Sequence, residues 1–312
     1  MASGHRRWWR TPAVVSSGPP RRLRTAAQAS LCGLALLLAW SVPVAGVRVA
    51  DDTGHVLDLA APARRIVSLA PHVTELLFAA GAGGHVAAAV EFSDYPDAAR
   101  ALPRIGDATR IDLERLVLLQ PDLVIAWGSG TPARMLDSVR RLGLPLFLSE
   151  PRRLDAIGEQ LRVLGRLAGT TEAAERAARV YERRLAGVRA RYAGLPRRPV
   201  FHQLALQPLL TVNRAHIISD VLALCGGDNV FADLPVLTPR VDVEAVIAAR
   251  PAAVVFALYP GEAPAATEAF WRRHGLAAAT RFIPVPGDLI HRPTPRILDG
   301  AAQVCAELAD GS

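Results

Sequence analysis

The feature that most constrains the fold is a long amphipathic segment in the middle of the chain, residues 171–192. Its apolar residues recur three and four positions apart, as on one face of a helix, and arginines and glutamates fill the other positions. Thr171 is placed to cap this helix, and Gly194 followed by Pro196 ends it. At 1.5 Å of rise per residue, the segment predicts a rod roughly 33 Å long.

The chain before this helix and the chain after it are organised in a similar way. In each half, a short helical pattern is closed by a glycine, Gly81 or Gly226, of the kind that suits a left-handed helix end. Each half then has an acidic helix start, an amphipathic helix, a proline and an apolar run of strand length, with Glu114 and Glu244 in equivalent places. The paired segments are residues 71–86 with 215–231 and residues 112–127 with 242–257. We interpret this pattern as a weak internal duplication.

Strand-length runs alternate with helical patterns in both halves, and this alternation predicts parallel sheets covered by helices. The predicted fold class is α/β, with two lobes of central parallel sheet flanked by helices and joined by one long rigid helix. Ligands of such proteins bind between the lobes. The predicted domains are an N-terminal segment at 47–63, an N-terminal lobe at 64–170, the linking helix at 171–194 and a C-terminal lobe at 195–312.

The first 50 residues differ from the rest of the chain. Seven arginines lie there and no acidic residue does, and an apolar run follows at residues 30–46. The run is short and is interrupted by Pro43, while Val44, Ala45 and Gly46 suit a cleavage site. We predict a secretory signal at residues 1–46 and a periplasmic location; a retained membrane anchor is the alternative.

The net charge of +7 belongs to this leader. The chain has 36 basic and 29 acidic residues, so removing the seven N-terminal arginines leaves the remainder without net charge. The high isoelectric point therefore gives no indication of a nucleic-acid partner.

Two cysteines lie outside the leader, Cys225 and Cys305. In an exported protein they can form one disulfide, and two buried thiols are the alternative.

The sequence contains none of the common motifs of an active site or nucleotide site. It has no GxSxG, HExxH, CxxC or phosphate-binding loop. His72 and Glu75 have a spacing that metals use, but one pair is weak support for a metal, and a first-turn glutamate is already favoured by the helix dipole. We expect no enzyme activity, no resident cofactor and no metal site.

Groups suited to ligand recognition lie instead where strands end, which is where open α/β sheets bind ligands. Tyr95 lies in SDYP, and Trp127 ends LVIAW beside Gly128 and Ser129, where little chain is available to bury a large ring. In the second half, Asp288 and Arg292 lie in the loop GDLIHRPTPR.

Five segments resemble the periplasmic vitamin B12-binding proteins of ABC importers, in the same order and over nearly the whole chain after residue 64. They are RIVSLAPHVTELLFAAG, EFSDYP, DLERLVLLQPDLVIAWGSG, LCGGDNVF and RPTPRILDGAAQVCAEL. The resemblance implies a monomeric binding protein that holds a corrinoid between its lobes and delivers it to a membrane permease with ATPase subunits.

The resemblance also implies roles for individual residues. The aromatic residues Tyr95 and Trp127 match positions that pack on the corrin, and the cysteine pair matches one that is bridged in a family member. Glu114 and Glu244 match glutamates that dock against the permease. The remaining expected ligand-binding residues are Pro71, His72, Gly128, Ser129, Asp288 and Arg292. Ala108, Ala205 and Leu210 stand where the family can have aromatic residues.

The resemblance leaves three further questions. A haem- or siderophore-binding protein of the same fold is the alternative function, and it would need an axial Tyr or His, or an arginine cluster. A zinc carrier would need several converging histidines, and the eight histidines here are scattered. For a corrinoid, we expect an axial contact to cobalt from His72 in the first place or His291 in the second.

Overall fold

Two four-stranded parallel sheets, each covered by helices, form the body of the protein. The computed structural model describes Gly18 and residues 46–310, and the fold below is that of the unit Val44–Ser312. The predicted signal at residues 1–46 lies outside the described residues, apart from Gly18 and Gly46.

A short N-terminal hairpin of two strands precedes the strands of the two parallel sheets. In chain order the strands are β1 Val47–Ala50, β2 Val56–Leu59, β3 Ile66–Ser68, β4 Val86–Ala89, β5 Leu123–Trp127, β6 Leu146–Ser149, β7 Arg198–Gln203, β8 Gly227–Asn229, β9 Ala253–Leu258 and β10 Arg281–Pro286. β1 and β2 pair antiparallel, and all pairs within the two larger sheets are parallel.

Helices lie between most of the strands. They are α1 Pro71–Ala79, α2 Leu113–Leu118, α3 Ala133–Arg141, α4 Leu154–Ala168, α5 Thr171–Arg191, α6 Ile217–Leu224, α7 Val243–Ala249, α8 Pro264–Arg273, α9 Gly287–Ile290 and α10 Ile297–Ala309. Two short 3-10 helices are Gly83–His85 and Asp97–Ala101.

The two sheets have the same strand order. The N-terminal lobe has the order β4-β3-β5-β6, and the C-terminal lobe has the order β8-β7-β9-β10. In both sheets, the second strand in sequence is the edge strand beside the first, and the third and fourth strands follow on the opposite side of the first. This shared order agrees with the duplication interpreted from the sequence, and the predicted two-lobed α/β fold with one long helix is confirmed.

The linking helix α5 packs along α4 and reaches both lobes. A Cβ at Gly165 of α4 would lie 2.2 Å from the Cβ of Ala174, so glycine allows the two helices to approach closely. Arg162 of α4 bonds Glu175 at 2.7 Å and Glu182 at 2.5 Å on α5. Further along, Arg184 bonds Asp299 of α10 at 2.7 Å and Arg189 bonds Asp155 of α4 at 2.8 Å. The helix is therefore attached at both ends.

Several sequence predictions need correction. Thr171 is the first helical residue and not the cap; the cap position belongs to Thr170, whose hydroxyl donates to the Ala80 carbonyl instead. β8 was not predicted, because Gly227-Asp228-Asn229 has none of the residue types that favour strands. The terminal helix α10 begins at Ile297, directly after the Pro-rich loop.

A disulfide joins the end of α6 to α10 in the C-terminal lobe. Cys225 and Cys305 are bonded, with 4.4 Å between their Cα atoms, and both are buried. The alternative of two free thiols is excluded, and the bridge closes a loop with a sequence separation of 80 residues.

We predict that the double change Cys225→Ala and Cys305→Ala lowers the free energy of unfolding by about 2–4 kcal/mol, because the unfolded chain regains the freedom of the closed loop. Urea denaturation of the variant and of the oxidised protein measures the difference. Equal midpoints for the two proteins would contradict the prediction, and wild-type protein unfolded with reductant serves as the matched control.

Candidate ligand-binding cleft

The loops that follow the strands of the two sheets meet between the lobes. Trp127 ends β5 and Glu150 follows β6 in the N-terminal lobe, and His216 and His291 come from the C-terminal lobe. Together with Pro151, Arg152, Ile217 and Pro293 they line a cavity of about 10 Å³. This gap has room for about one water molecule. A larger cavity of about 510 Å³ is lined by arginines that include Arg153, Arg197 and Arg214. Those three arginines are paired with aspartates. We place the site at the smaller gap, which is lined by aromatic and titratable side chains from both lobes.

The ring of Trp127 is held from several sides. Its Nε1 donates to Glu150 Oε1 at 3.4 Å, and the Ser129 backbone N–H donates to the other carboxylate oxygen at 2.5 Å. A Cβ at Gly130 would lie 1.9 Å from the ring, so the glycine lets the loop fold onto it. The expectation that the neighbouring glycines leave Trp127 uncovered is therefore wrong. The side chain is half-buried, in a fixed position at the edge of the gap.

His72 lies behind Trp127 in the first turn of α1, after Pro71 at the helix start. Its ring meets the Trp127 ring edge-on, with 5.1 Å between centroids. Burial and the nearby charge of Arg292 lower the pKa of His72 to about 3, so the ring is neutral near neutral pH. Its Nε2 is buried without a hydrogen-bond partner among the described residues.

The carboxylate of Glu75 forms hydrogen bonds between the two lobes. Its side chain is 2% exposed, and its carboxylate accepts from Thr294 Oγ1 at 2.6 Å and from Arg296 Nε and Nη2 at 2.7 and 2.6 Å. Glu75 also lies beyond the first turn of α1. The expected first-turn position of Glu75 is therefore wrong. No group of three or more metal-ligating side chains converges within residues 46–310.

The loop after β4 presents two aromatic residues. Phe92 has a backbone φ of 63° and is 75% exposed, a combination that is uncommon for a bulky side chain. Arg292 Nη2 of the other lobe donates to its carbonyl oxygen at 3.1 Å. Tyr95, also exposed, lies under the guanidinium of Arg296, with 3.7 Å from Cζ to the ring centroid. Phe92 was not predicted from the sequence as a ligand-binding residue, and its position beside SDYP was the one signal for it.

Arg292 connects the two lobes through carboxylates. Its guanidinium bonds Asp94 at 2.9 Å across the gap and Asp288 at 2.7 Å within its own lobe. The Arg292 side chain is only 11% exposed. Burial acts to raise the pKa of Asp94, but the hydrogen bond and charge of Arg292 outweigh it and lower that pKa.

Four side chains on the C-terminal side of the gap were not assigned together by the sequence. His291 Nδ1 lies 2.9 Å from Tyr259 Oη, and the ring of His202 meets that of His291 edge-on at 5.6 Å. His216 accepts from the Ile218 backbone N–H at the start of α6. Burial lowers the pKa of His216 and of His291 to about 4 and lowers that of His202 as well. These residues are separated in sequence, and only the fold brings them together.

Glu114 and Glu244 have matching local structures. Each is exposed in the first turn of its helix, α2 or α7. In both helices the cap is an aspartate, Asp112 or Asp242, whose side chain accepts a backbone N–H. Both helices lead back to a parallel strand, so their starts lie at the edge of the sheet where the ligand-binding loops are.

The three positions where the sequence lacks an expected aromatic residue are occupied as follows. Ala205 and Leu210 pair with each other through backbone hydrogen bonds after β7, and Ala108 is exposed in the loop before α2. The aromatic surface at the gap therefore comes mainly from the N-terminal lobe.

Comparison with known proteins identifies the family. The family model described as periplasmic binding protein matches residues 66–280. The chain belongs to the periplasmic binding protein family. Membership confirms the expectation that the chain is a binding component and not an enzyme. Among the residues that the structure describes, no helix is long and apolar enough to span a membrane.

Individual members of the periplasmic binding protein family are similar over most of the chain. The vitamin B12-binding protein of Vibrio cholerae serotype O1 is 37% identical over 251 residues, which cover 79% of this chain and 90% of the relative. The crystal structure of the periplasmic vitamin B12 binding protein BtuF of Vibrio cholerae matches with a TM-score of 0.69 and 35% identity, over 80% of this chain and 98% of that one. The periplasmic heme-binding protein RhuT from Roseiflexus sp. RS-1 matches with a TM-score of 0.67 and 26% identity, over 80% and 98%.

We predict that Glu75→Gln lowers the free energy of unfolding by about 2–3 kcal/mol, because Arg296 then loses the carboxylate that compensates its partly buried charge. Denaturant unfolding measures the loss. Glu268→Gln is the matched control, since Glu268 forms an exposed pair with Arg272 on α8 and should cost less than about 1 kcal/mol. Equal effects of the two changes would contradict the importance of the interlobe contact.

Proposed function

We propose that this protein is the periplasmic binding component of an ABC importer for cobalamin or a related corrinoid. The observation that carries the proposal is the cleft itself. Trp127 lines the gap between the lobes, the Phe92 carbonyl bonds Arg292 of the other lobe, and Tyr95 lies under Arg296. The similarity to vitamin B12-binding proteins supports the same ligand. Cobalamin is then the transported ligand and not a cofactor.

The chemistry of a corrinoid suits these residues. It is a large disc with apolar faces and amide side chains, so it needs flat apolar contact and a few hydrogen-bonding groups. Trp127 and Tyr95 provide the flat contact. The exposed ring of Phe92 provides a third apolar surface. Ser129 and the Arg292–Asp288 pair are the polar partners for the amides, and Pro71, His72 and Gly128 form the wall behind Trp127.

Ligand entry requires the gap to widen, because a gap of about 10 Å³ is far smaller than a corrinoid. The contacts of Arg292 with Asp94 and with the Phe92 carbonyl cross the gap and have to separate. The contact of Glu75 with Thr294 and Arg296 is more deeply buried and can stay in place. We infer an opening at the rim about a retained buried contact.

The remaining assignments complete the proposal. The importer supplies a permease and ATPase subunits as partners, and the binding protein acts as a monomer. Residues 1–46 act as the export signal, and the lobes are residues 64–170 and 195–312 on either side of the linking helix at 171–194, after an N-terminal segment at 47–63.

A haem-binding protein of the same fold is the second candidate. The specific observation in its favour is the His291–Tyr259 pair at the gap, since both residue types serve as haem ligands. Siderophore binding has less support, because Arg292 is already engaged by two carboxylates. Competition between haem and cyanocobalamin for the purified protein distinguishes the candidates, and tighter binding of haem would overturn the corrinoid assignment.

We predict that Trp127→Ala weakens cyanocobalamin binding about tenfold or more, since burying an aromatic ring contributes on the order of 1.5–3 kcal/mol. Isothermal titration calorimetry measures the change. Phe92→Ala is the second variant; its ring is exposed, so its loss should reduce affinity without reducing stability. Val180→Ala, on the exposed face of α5, is the control. Unchanged affinity in both aromatic variants would remove these rings from the site.

We also predict that Glu114→Ala and Glu244→Ala reduce cobalamin uptake while leaving affinity in solution intact. One acidic contact on each lobe sets the orientation of the protein on the permease, so the double variant should lose the most. Uptake by proteoliposomes that contain the importer measures the effect. Glu172→Ala is the matched control, because Glu172 is also an exposed first-turn glutamate, on α5. If the double variant showed full uptake, the two glutamates would have no role in docking. Their favourable interaction with the helix dipole would then be their remaining role.

A further inference from the structure

One nitrogen atom at the gap has no use in the folded protein. The Nε2 of His291 is buried and has no hydrogen-bond partner among the residues that the structure describes, although His291 lines the cavity between the lobes. A buried polar atom without a partner costs free energy, so it needs an explanation. Trp127 of the other lobe lines the same cavity. A flat ligand packed on Trp127 would therefore lie within reach of this nitrogen.

The ring of His291 is held in one orientation by its neighbours. Tyr259 Oη lies 2.9 Å from its Nδ1, and His202 packs against it edge-on. The Tyr259 ring in turn lies over Gly287, where a Cβ would come within 2.3 Å of the tyrosine ring. A glycine at this position is thus needed for Tyr259 to reach His291. Metal-binding histidines usually have such a partner on the second ring nitrogen, which fixes the tautomer and the direction of the first.

The contact with Tyr259 sets which nitrogen of His291 is available to a metal. When His291 Nδ1–H donates to Tyr259 Oη, the lone pair lies on Nε2, the atom without a partner.

We propose that His291 Nε2 is an axial ligand of the cobalt in the bound corrinoid. This proposal rests on the proposed function, since it needs a corrinoid in the cleft. The nitrogen lone pair forms the Co–N bond while an axially bound water leaves as H₂O, and the oxidation state of cobalt does not change. Tyr259 is a positioning residue that orients the imidazole. The site therefore prefers corrinoids with an exchangeable axial position over those whose axial ligand is held tightly.

His72 is the rival, and the structure favours His291 over it. Within residues 46–310, His72 also has a buried Nε2 without a hydrogen-bond partner. Its ring, however, lies behind Trp127 and does not line the gap, and the positive charge of Arg292 is close by. The order expected from the sequence, His72 before His291, is thus reversed.

Electron paramagnetic resonance of bound cob(II)inamide tests the proposal directly. Cobinamide lacks the nucleotide base, so a nitrogen triplet on the cobalt lines can come only from the protein in a nitrogen-free buffer. The complex is prepared by anaerobic photolysis of methylcobinamide, which leaves the disulfide intact. We expect a triplet with wild-type protein, a doublet after labelling the histidines with ¹⁵N, and no splitting with His291→Ala or His291→Gln. Free imidazole added to His291→Ala should restore the triplet.

The controls separate this proposal from the proposed function. His274→Ala, an exposed histidine of the same lobe, should keep the triplet. Three outcomes would overturn the axial contact. The splitting could persist in both His291 variants, it could be lost in His72→Ala instead, or bound cob(II)inamide could show no splitting with wild-type protein. Failure to bind any corrinoid would overturn the proposed function itself. If cobalamin binds and cobinamide does not, labelled protein with cob(II)alamin decides: a ¹⁵N doublet supports the contact, and a triplet from the nucleotide base refutes it.

Discussion

The cleft depends on a buried carboxylate. Glu75 is almost inaccessible to water, and its charge is compensated by Arg296 and Thr294 from the other lobe. A buried charge needs such a partner in good geometry, so the loop carrying Arg296 is held against α1. The same loop carries His291 and Arg292, and the guanidinium of Arg296 covers Tyr95. One ion pair thereby places residues of both lobes around the gap.

The shared strand order of the two sheets explains why the functional groups converge. In open parallel sheets the loops beyond the carboxyl ends of the strands form the ligand-binding edge. Because the two lobes repeat one topology, each presents such an edge, and the linking helix α5 attaches them with these edges facing one gap. The same repetition puts Glu114 and Glu244 in equivalent exposed helix starts. The convergence of the loops at the gap and the matching positions of the two glutamates therefore have one structural origin.

The two sides of the gap differ in chemistry. The N-terminal lobe contributes exposed aromatic rings, Phe92 and Tyr95, together with the fixed Trp127. The C-terminal lobe contributes neutral histidines, whose pKa values are lowered by burial, and the paired Arg292. Flat apolar contact on one side and directed polar groups on the other suit a disc-shaped ligand with a metal centre.

The sequence by itself determined the parts of this protein that rest on local patterns. Periodicity was sufficient for α5 and for the parallel-sheet fold of both lobes, and the motifs indicated the family and singled out Trp127, Tyr95, Glu114 and Glu244. It missed β8, whose strand depends on pairing with β7, and it placed Glu75 in the first turn of α1, although Glu75 lies beyond that turn. Only the tertiary structure decided that Glu75 bonds Arg296, that Gly130 lets the loop pack on the half-buried Trp127, and that Tyr259, His202 and His291 form one group. These outcomes depend on contacts between residues far apart in the chain, where burial and charge compensation prevail over local preference.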